Sequence, residues 1–141
     1  MKTLTFTIEI NASAEKVWNV LWEDKTYRAW TSSFIRGSYY EGEMVEGNDI
    51  RFLSPGEHGL FGIVEKVEPF TAMHFKHFGE VIDGVSQEKT FGDNAIEYYD
   101  LLETESGTKL TVTVNTVAEF KDYFTNSFPR ALAKVKEIAE S

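Results

Sequence analysis

The chain has 141 residues, 23 acidic against 14 basic for a net charge of −9, and no cysteine, which excludes disulfides, thiolate metal sites and a cysteine nucleophile. A chain of this length buries roughly 68–70% of its unfolded surface, enough for one domain spanning residues 1–141. The acid excess repels phosphate backbones, so nucleic acid is not expected as a partner, and no run reads as a signal peptide or membrane span, so the expected location is cytoplasmic.

Taken in order, Leu4, Phe6, Ile8 and Ile10 alternate with Thr5, Thr7 and Glu9, the pattern of a half-buried strand. After Asn11 the apolar spacing lengthens to three and four at Ala14, Val17, Trp18 and Leu21, with Ser13 as N-cap and Glu15 in the first turn. Asp24 to Trp30 reads as a second short helix, with Tyr27, Trp30 and Phe34 continuing a periodic stripe until Ser32 and Ser33 interrupt it. Six further strands are expected at Ile35–Tyr40, Asp49–Leu53, Leu60–Val67, Ala72–Phe78, Ala95–Leu102 and Thr108–Val114, each break carrying Gly, Pro, Asp or Asn. With the first strand they make seven, in one antiparallel sheet. From Val117 the period is helical to the C-terminus, with an aromatic stripe at Val117, Phe120, Phe124 and Phe128 and an apolar face at Leu132, Val135, Ile138 and Ala139. Pro129 lacks an N–H and clashes with the preceding turn, so a kink or restart is expected between Ser127 and Pro129. The stretch Gly79–Asp93 reads as a connection longer than a hairpin, either a functional rim, with Ile82 or Phe91 as a cover, or a mobile insertion.

The opening Ile10, Ala12, Glu15, Val17, Trp18, the run Gly62-x-Val64-x-x-Val67-x-Pro69, and Thr108-Lys109-Leu110-Thr111-Val112 together resemble the START-like (SRPBCC, or Bet v 1-like) superfamily. Within it they resemble the group related to the C-terminal domain of the activator of Hsp90 ATPase. The resemblance covers nearly the whole chain. It implies an α+β helix-grip fold: a curved seven-stranded antiparallel sheet wrapped around a long C-terminal helix, with two short helices after the first strand. It also implies a cavity between sheet and long helix for an apolar or amphipathic molecule. On this reading Trp30 and Phe34 lie near the cavity entrance, and Phe120, Tyr123, Phe124 and Phe128 belong to the helix that forms its inner wall.

Among polar residues, alternation puts Met73, Phe75 and His77 on one strand face and Glu97, Tyr99 and Leu101 on one face of the next. If both faces point inward, His77 and Glu97 meet. They then form either a satisfied core pair that fixes the sheet or an acid and base that could act on a ligand. A single bulge would exchange the two faces. His74 and His77 stand three apart on a strand and so point to opposite faces, and His58 sits in the Gly-rich turn Pro55–Gly59, so no metal site is expected. Glu41, Glu43, Glu46 and Asp49 lack the spacing of a calcium loop. No nucleophile elbow, phosphate loop or dinucleotide fingerprint is present, and no cofactor is expected.

The function expected is a binding module for a small hydrophobic or amphipathic ligand, walled by Trp30, Phe34, Phe75, Tyr99, Phe120, Tyr123, Phe124 and Phe128 with His77 and Glu97 as the polar end. The alternative is an enzyme of the cyclase, dehydratase or hydrolase type using His77 and Glu97 as acid and base. A third reading, a co-chaperone of Hsp90, follows from the family label alone and ranks last, because function does not follow from fold. The oligomeric state is left open.

Overall fold

The computed structural model describes residues 2–92 and 94–141. The chain runs β1 (Lys2–Ile10), α1 (Ala14–Trp22), α2 (Asp24–Thr31), β2 (Tyr39–Glu41), β3 (Asp49–Ser54), β4 (His58–Glu68), β5 (Ala72–Ile82), β6 (Val85–Ser86), β7 (Ile96–Thr104) and β8 (Gly107–Thr116). A 3₁₀ turn (Ala118–Phe120) then leads into α3 (Lys121–Glu140). The sheet is antiparallel in the order β1-β8-β7-β5-β4-β3-β2, with β6 folded back onto β5. It is an α+β helix-grip fold.

The inner face of the sheet follows from the period-two pattern. One cross-strand row runs Leu4, Val114, Glu97, Phe75, Val64, and the next runs Phe6, Val112, Tyr99, Met73, Val67. Apart from Glu97 and the Tyr99 hydroxyl these positions are apolar, and they meet α1 through buried Val17, Leu21 and Trp22. Ser13 caps α1 by accepting a hydrogen bond from the Lys16 N–H at 3.2 Å, which satisfies one of the first-turn donors. α3 closes the core with Phe128, Ala131, Leu132, Val135 and Ala139, all buried, whereas its first six residues are exposed except for half-buried Phe124.

Two bulges bend the β4–β5 pair. Phe61 pairs with Gly79 but Gly62 with His77, leaving Phe78 as the extra residue on β5; Val64 pairs with Phe75 but Lys66 with His74, leaving Glu65 extra on β4. Each bulge kinks its strand and increases the local twist. A Cβ on Gly62 would stand 1.9 Å from the Lys76 carbonyl oxygen, so only glycine lets the strands approach this closely.

Four expectations need correction. The strand expected at Ile35–Tyr40 is reduced to Tyr39–Glu41. Residues 32–38 form turns instead, because Phe34 and Ile35 donate their N–H groups to the Thr31 carbonyl and Gly37 takes a φ of +87°. Among the described residues the sheet has eight strands rather than seven. Gly79–Ile82 belongs to β5, and Asp83-Gly84, both with positive φ, turns the chain directly into β6, the geometry that favours Asp-Gly in tight hairpins. Last, α3 runs as one helix with Pro129 inside it, so of the kink or restart expected at Ser127–Pro129 the restart does not occur. Burial of Phe128, Ala131 and Leu132 on both sides of the proline outweighs one missing hydrogen bond, and the bond's former acceptor belongs to exposed Thr125, where water can replace the donor. The irregular turn lies earlier, at Ala118–Phe120.

Candidate functional site: a cavity beneath the C-terminal helix

Between the sheet, α2 and the N-terminal half of α3 lies a cavity of about 440 Å³. It exists because the two halves of α3 behave differently. The C-terminal half packs onto β1, α1 and the sheet, while the N-terminal half bridges the open concave side with aromatic residues spaced along one face. Trp30, held by its indole N–H donating to the Leu21 carbonyl at 3.1 Å, forms part of the wall. Phe34 stands edge-on to Phe128 at 4.8 Å and tilted against Tyr123 at 6.4 Å. These residues, together with Phe120 and Phe124, line the cavity.

The polar end is built on β5 and β7. Bulge geometry and strand alternation leave His77 pointing inward, 6% exposed. Its Nε2 donates to Glu97 Oε1 at 3.0 Å, and the Tyr99 hydroxyl donates to the other carboxylate oxygen, Oε2. One carboxylate thus accepts from two buried neighbours, and His77 Nδ1 is left buried without a partner among the described residues. Burial pushes the Tyr99 hydroxyl pKa well above its ordinary value, helped by the Glu97 charge and the hydrogen bond to it. Tyr27, deep in the same wall, is raised in the same direction by burial first and the Glu97 charge second. Both phenols are therefore held in the protonated form.

Nine of the ten residues singled out from the sequence lie on this cavity: Trp30, Phe34, His77, Glu97, Tyr99, Phe120, Tyr123, Phe124 and Phe128. Phe75 does not reach it. Fully buried, it sits behind Phe52 and Trp22 at ring separations of 4.9 and 5.4 Å, as a core residue. Of the two residues considered as covers, Phe91 lines the cavity and Ile82 is an exposed strand-end residue outside it; Asp93, at the end of the expected connection, lies outside the described residues. His58 is half-exposed at the mouth, 3.5 Å from Asp83. His74 lies on the opposite sheet face, stacked on Tyr98 at 3.9 Å and bonded to Asp100 at 2.8 Å.

The wall also contains Tyr27, Phe52 and Glu80, which sequence reasoning missed. Tyr27 is three residues from Trp30 on α2, and Phe52 is two from buried Ile50 on β3, so helical and strand periods respectively could have found them. Glu80 could not have been found that way, since the bulge at Phe78 shifts the inward parity of β5 from odd to even numbers. Among the described residues no group of three or more His, Asp or Glu could hold a metal ion, and no helix is long and apolar enough to cross a membrane.

The fold has close counterparts among solved structures. The Aha1 dimer from Colwellia psychrerythraea is 23% identical with a TM-score of 0.70, covering 99% of this chain and 97% of that one. A protein from Chromobacterium violaceum is 12% identical with a TM-score of 0.72, covering 100% and 99%. One from Rhodobacter sphaeroides is 22% identical with a TM-score of 0.67, covering 96% and 90%. No curated protein matches the sequence significantly. The sequence profile described as Activator of Hsp90 ATPase homolog 1-like protein matches residues 11–140, so the chain belongs to that family, within the START-like superfamily.

Proposed function

We propose that this chain holds a small hydrophobic or amphipathic molecule in the cavity between sheet and α3. The observation that carries the reading is the cavity itself: about 440 Å³ of space, aromatic walls and a short convergent set of polar groups. Small-molecule sites usually combine these in the range of roughly 300–1,000 Å³. A thermal-shift screen of lipids, fatty acids and flavonoid-like aromatics, followed by native mass spectrometry, tests it. A true ligand raises the melting temperature with concentration by mass action. Phe124→Trp, which fills the space, should abolish that shift while leaving the fold intact. A screen without a single saturable hit would remove the basis for the reading.

One observation favours a second reading. The unpartnered His77 Nδ1, with Nε2 oriented by Glu97, has the arrangement of a general base held in one tautomer by a carboxylate. Turnover of a bound molecule, lost in His77→Gln with binding retained, would select it over simple binding. The family description refers to Hsp90 activation. For this chain we propose no such role, and calorimetry showing saturable binding to Hsp90 with stimulated ATP turnover would reverse that.

A further inference from the structure

Along its α2–α3 side the cavity is polar in its depth and apolar at its rim. Beside the equally buried Trp30 and Phe128 stand Tyr99 at 1% exposure and His77 at 6%, which carry polar groups to the bottom. The rim on this side is formed by Ile35 at 50%, Val117 at 41% and Phe120 at 52%, which are apolar, while His58 and Glu80 lie at the β4–β5 side of the mouth. A molecule seated with its apolar part inward would leave the buried polar groups unmatched, which costs free energy.

The hydrogen-bond inventory of the buried end narrows the head group further. The Trp30 indole donates to Leu21, the Thr31 hydroxyl to the Tyr27 carbonyl, and both His77 Nε2 and the Tyr99 hydroxyl to Glu97, while the Tyr27 hydroxyl in the same wall makes no hydrogen bond among the described residues and can donate to the oxygen of an incoming hydroxyl. Acceptor capacity remains, on the Glu97 oxygens and on the unpartnered His77 Nδ1. Charge points the same way. Glu97 and Glu80 line the cavity, and no lysine or arginine does among the described residues. An incoming carboxylate would therefore meet like charge in a poorly solvated space with no cation to offset it. An ammonium group would have to shed its water for an acceptor set already occupied by two donors.

We infer that the cavity takes its ligand head-first, burying one uncharged hydroxyl that donates to Glu97 or His77 Nδ1, with the hydrophobic body leaving past Ile35, Val117 and Phe120. The inference rests on the binding reading above and adds to it the head-group class and the orientation.

Four probes of matched shape test it by calorimetry at about pH 8, where a phenol keeps its proton and a carboxylic acid has lost its own: 4-hexylphenol, hexylbenzene, 4-hexylbenzoate and 4-hexylbenzylamine. The phenol should bind about tenfold or more tighter than the other three, the size of one good hydrogen bond to a charged group. In Glu97→Gln the gap between phenol and benzoate should narrow. Intermolecular NOEs in the unmodified protein supply a readout independent of that variant's folding: ring protons of the phenol should approach Trp30 and Tyr99, and the terminal methyl Phe120. Benzoate or benzylamine binding as tightly as the phenol, or a reversed NOE pattern, would overturn the inference. Equal binding of phenol and hexylbenzene would overturn the head-group claim while leaving a binding cavity. Failure of all four to bind would remove the cavity reading and this inference together.

Discussion

Replacing Glu97 by alanine tests the polar end of the cavity most directly. The carboxylate accepts from His77 Nε2 and from the Tyr99 hydroxyl, whose side chains are nearly inaccessible. Its removal orphans two donors, at about 1–3 kcal/mol each. Glu97 itself is 24% exposed, through the cavity, so water can enter the space left and satisfy part of what is lost. That moves the expected destabilisation to the lower part of the summed range, about 2–3 kcal/mol. Glu97→Gln keeps a carbonyl acceptor and the shape, and the freely rotating Tyr99 hydroxyl can turn to accept from its amide, so its cost should be only about 1 kcal/mol. Urea titrations give both values from the midpoints, provided that the slopes agree with the unmodified protein. A cycle with His77→Ala should show coupling of at least about 0.5 kcal/mol. If Glu97→Ala lies within about 0.5 kcal/mol of the unmodified protein, or if Gln costs as much as Ala, the carboxylate does not satisfy its neighbours as described.

Alkaline pH should expose the buried phenols. Tyr27 and Tyr99 have folded-state pKa values raised above the unfolded one, so their stability contribution is fully present below about pH 10 and is lost above it, at about 1.4 kcal/mol per pH unit for each. Tyr98, pushed up to about 12 by its bond to Glu65, is more solvent-screened and adds less. Tyrosinate absorbance followed with circular dichroism should show these groups ionising only as the fold is lost; full titration with the fold intact refutes it. Pro129→Ala should stabilise the protein by about 1–2 kcal/mol by restoring the bond to the Thr125 carbonyl, which a melting curve would register. Gly62→Ala should destabilise by about 2–4 kcal/mol, because its Cβ meets the Lys76 carbonyl at 1.9 Å; an unchanged urea midpoint would mean that the strands can separate there without loss.

The architecture was legible wherever local period and burial agree. Ser13 and the Ala14–Leu21 spacing locate α1, and alternation puts Phe75 with His77 on one face of β5 and Glu97 with Tyr99 on one face of β7, which meet if both point inward, as they do. Readings failed where tertiary packing outvoted a local rule. Pro129 is compatible with a restart as well as a kink, and the buried residues flanking it rule out the restart by holding the helix in one piece. Ile35–Tyr40 has strand-like composition, yet the chain there is still completing turns from α2. Asp83-Gly84 carries a hairpin signal that the length of the surrounding Gly79–Asp93 stretch hides. Phe75 lies on the correct face, but period alone does not distinguish a residue touching a cavity from one packed behind another ring. The existence of a cavity was an expectation from the family resemblance, since a stripe of phenylalanines reads the same whether it fills a core or lines a space.

The two bulges of the β4–β5 pair offset one another in the residue count while inward positions stay opposite inward positions throughout. Phe78 puts β5 one residue out of phase, Glu65 puts β4 out by one in compensation, and pairing on either side of the pair has the same sum of residue numbers. Between them lies the segment that holds Phe75 and His77; beyond Phe78 the altered phase brings Glu80 to the mouth. Deleting Glu65 alone would remove its bulge and keep every partner, Val64 opposite Phe75, Lys66 opposite His74 and Val67 opposite Met73, so Val67 would still face the core while β4 straightens. Deleting both extra residues would straighten the pair and flatten the cup, again with the partners kept. Either residue can thus be lost without changing which side chains face inward; what the two set is the bend. The curvature of the cup rests on two residues outside its lining, so the shape of the container can be inherited while its selectivity drifts.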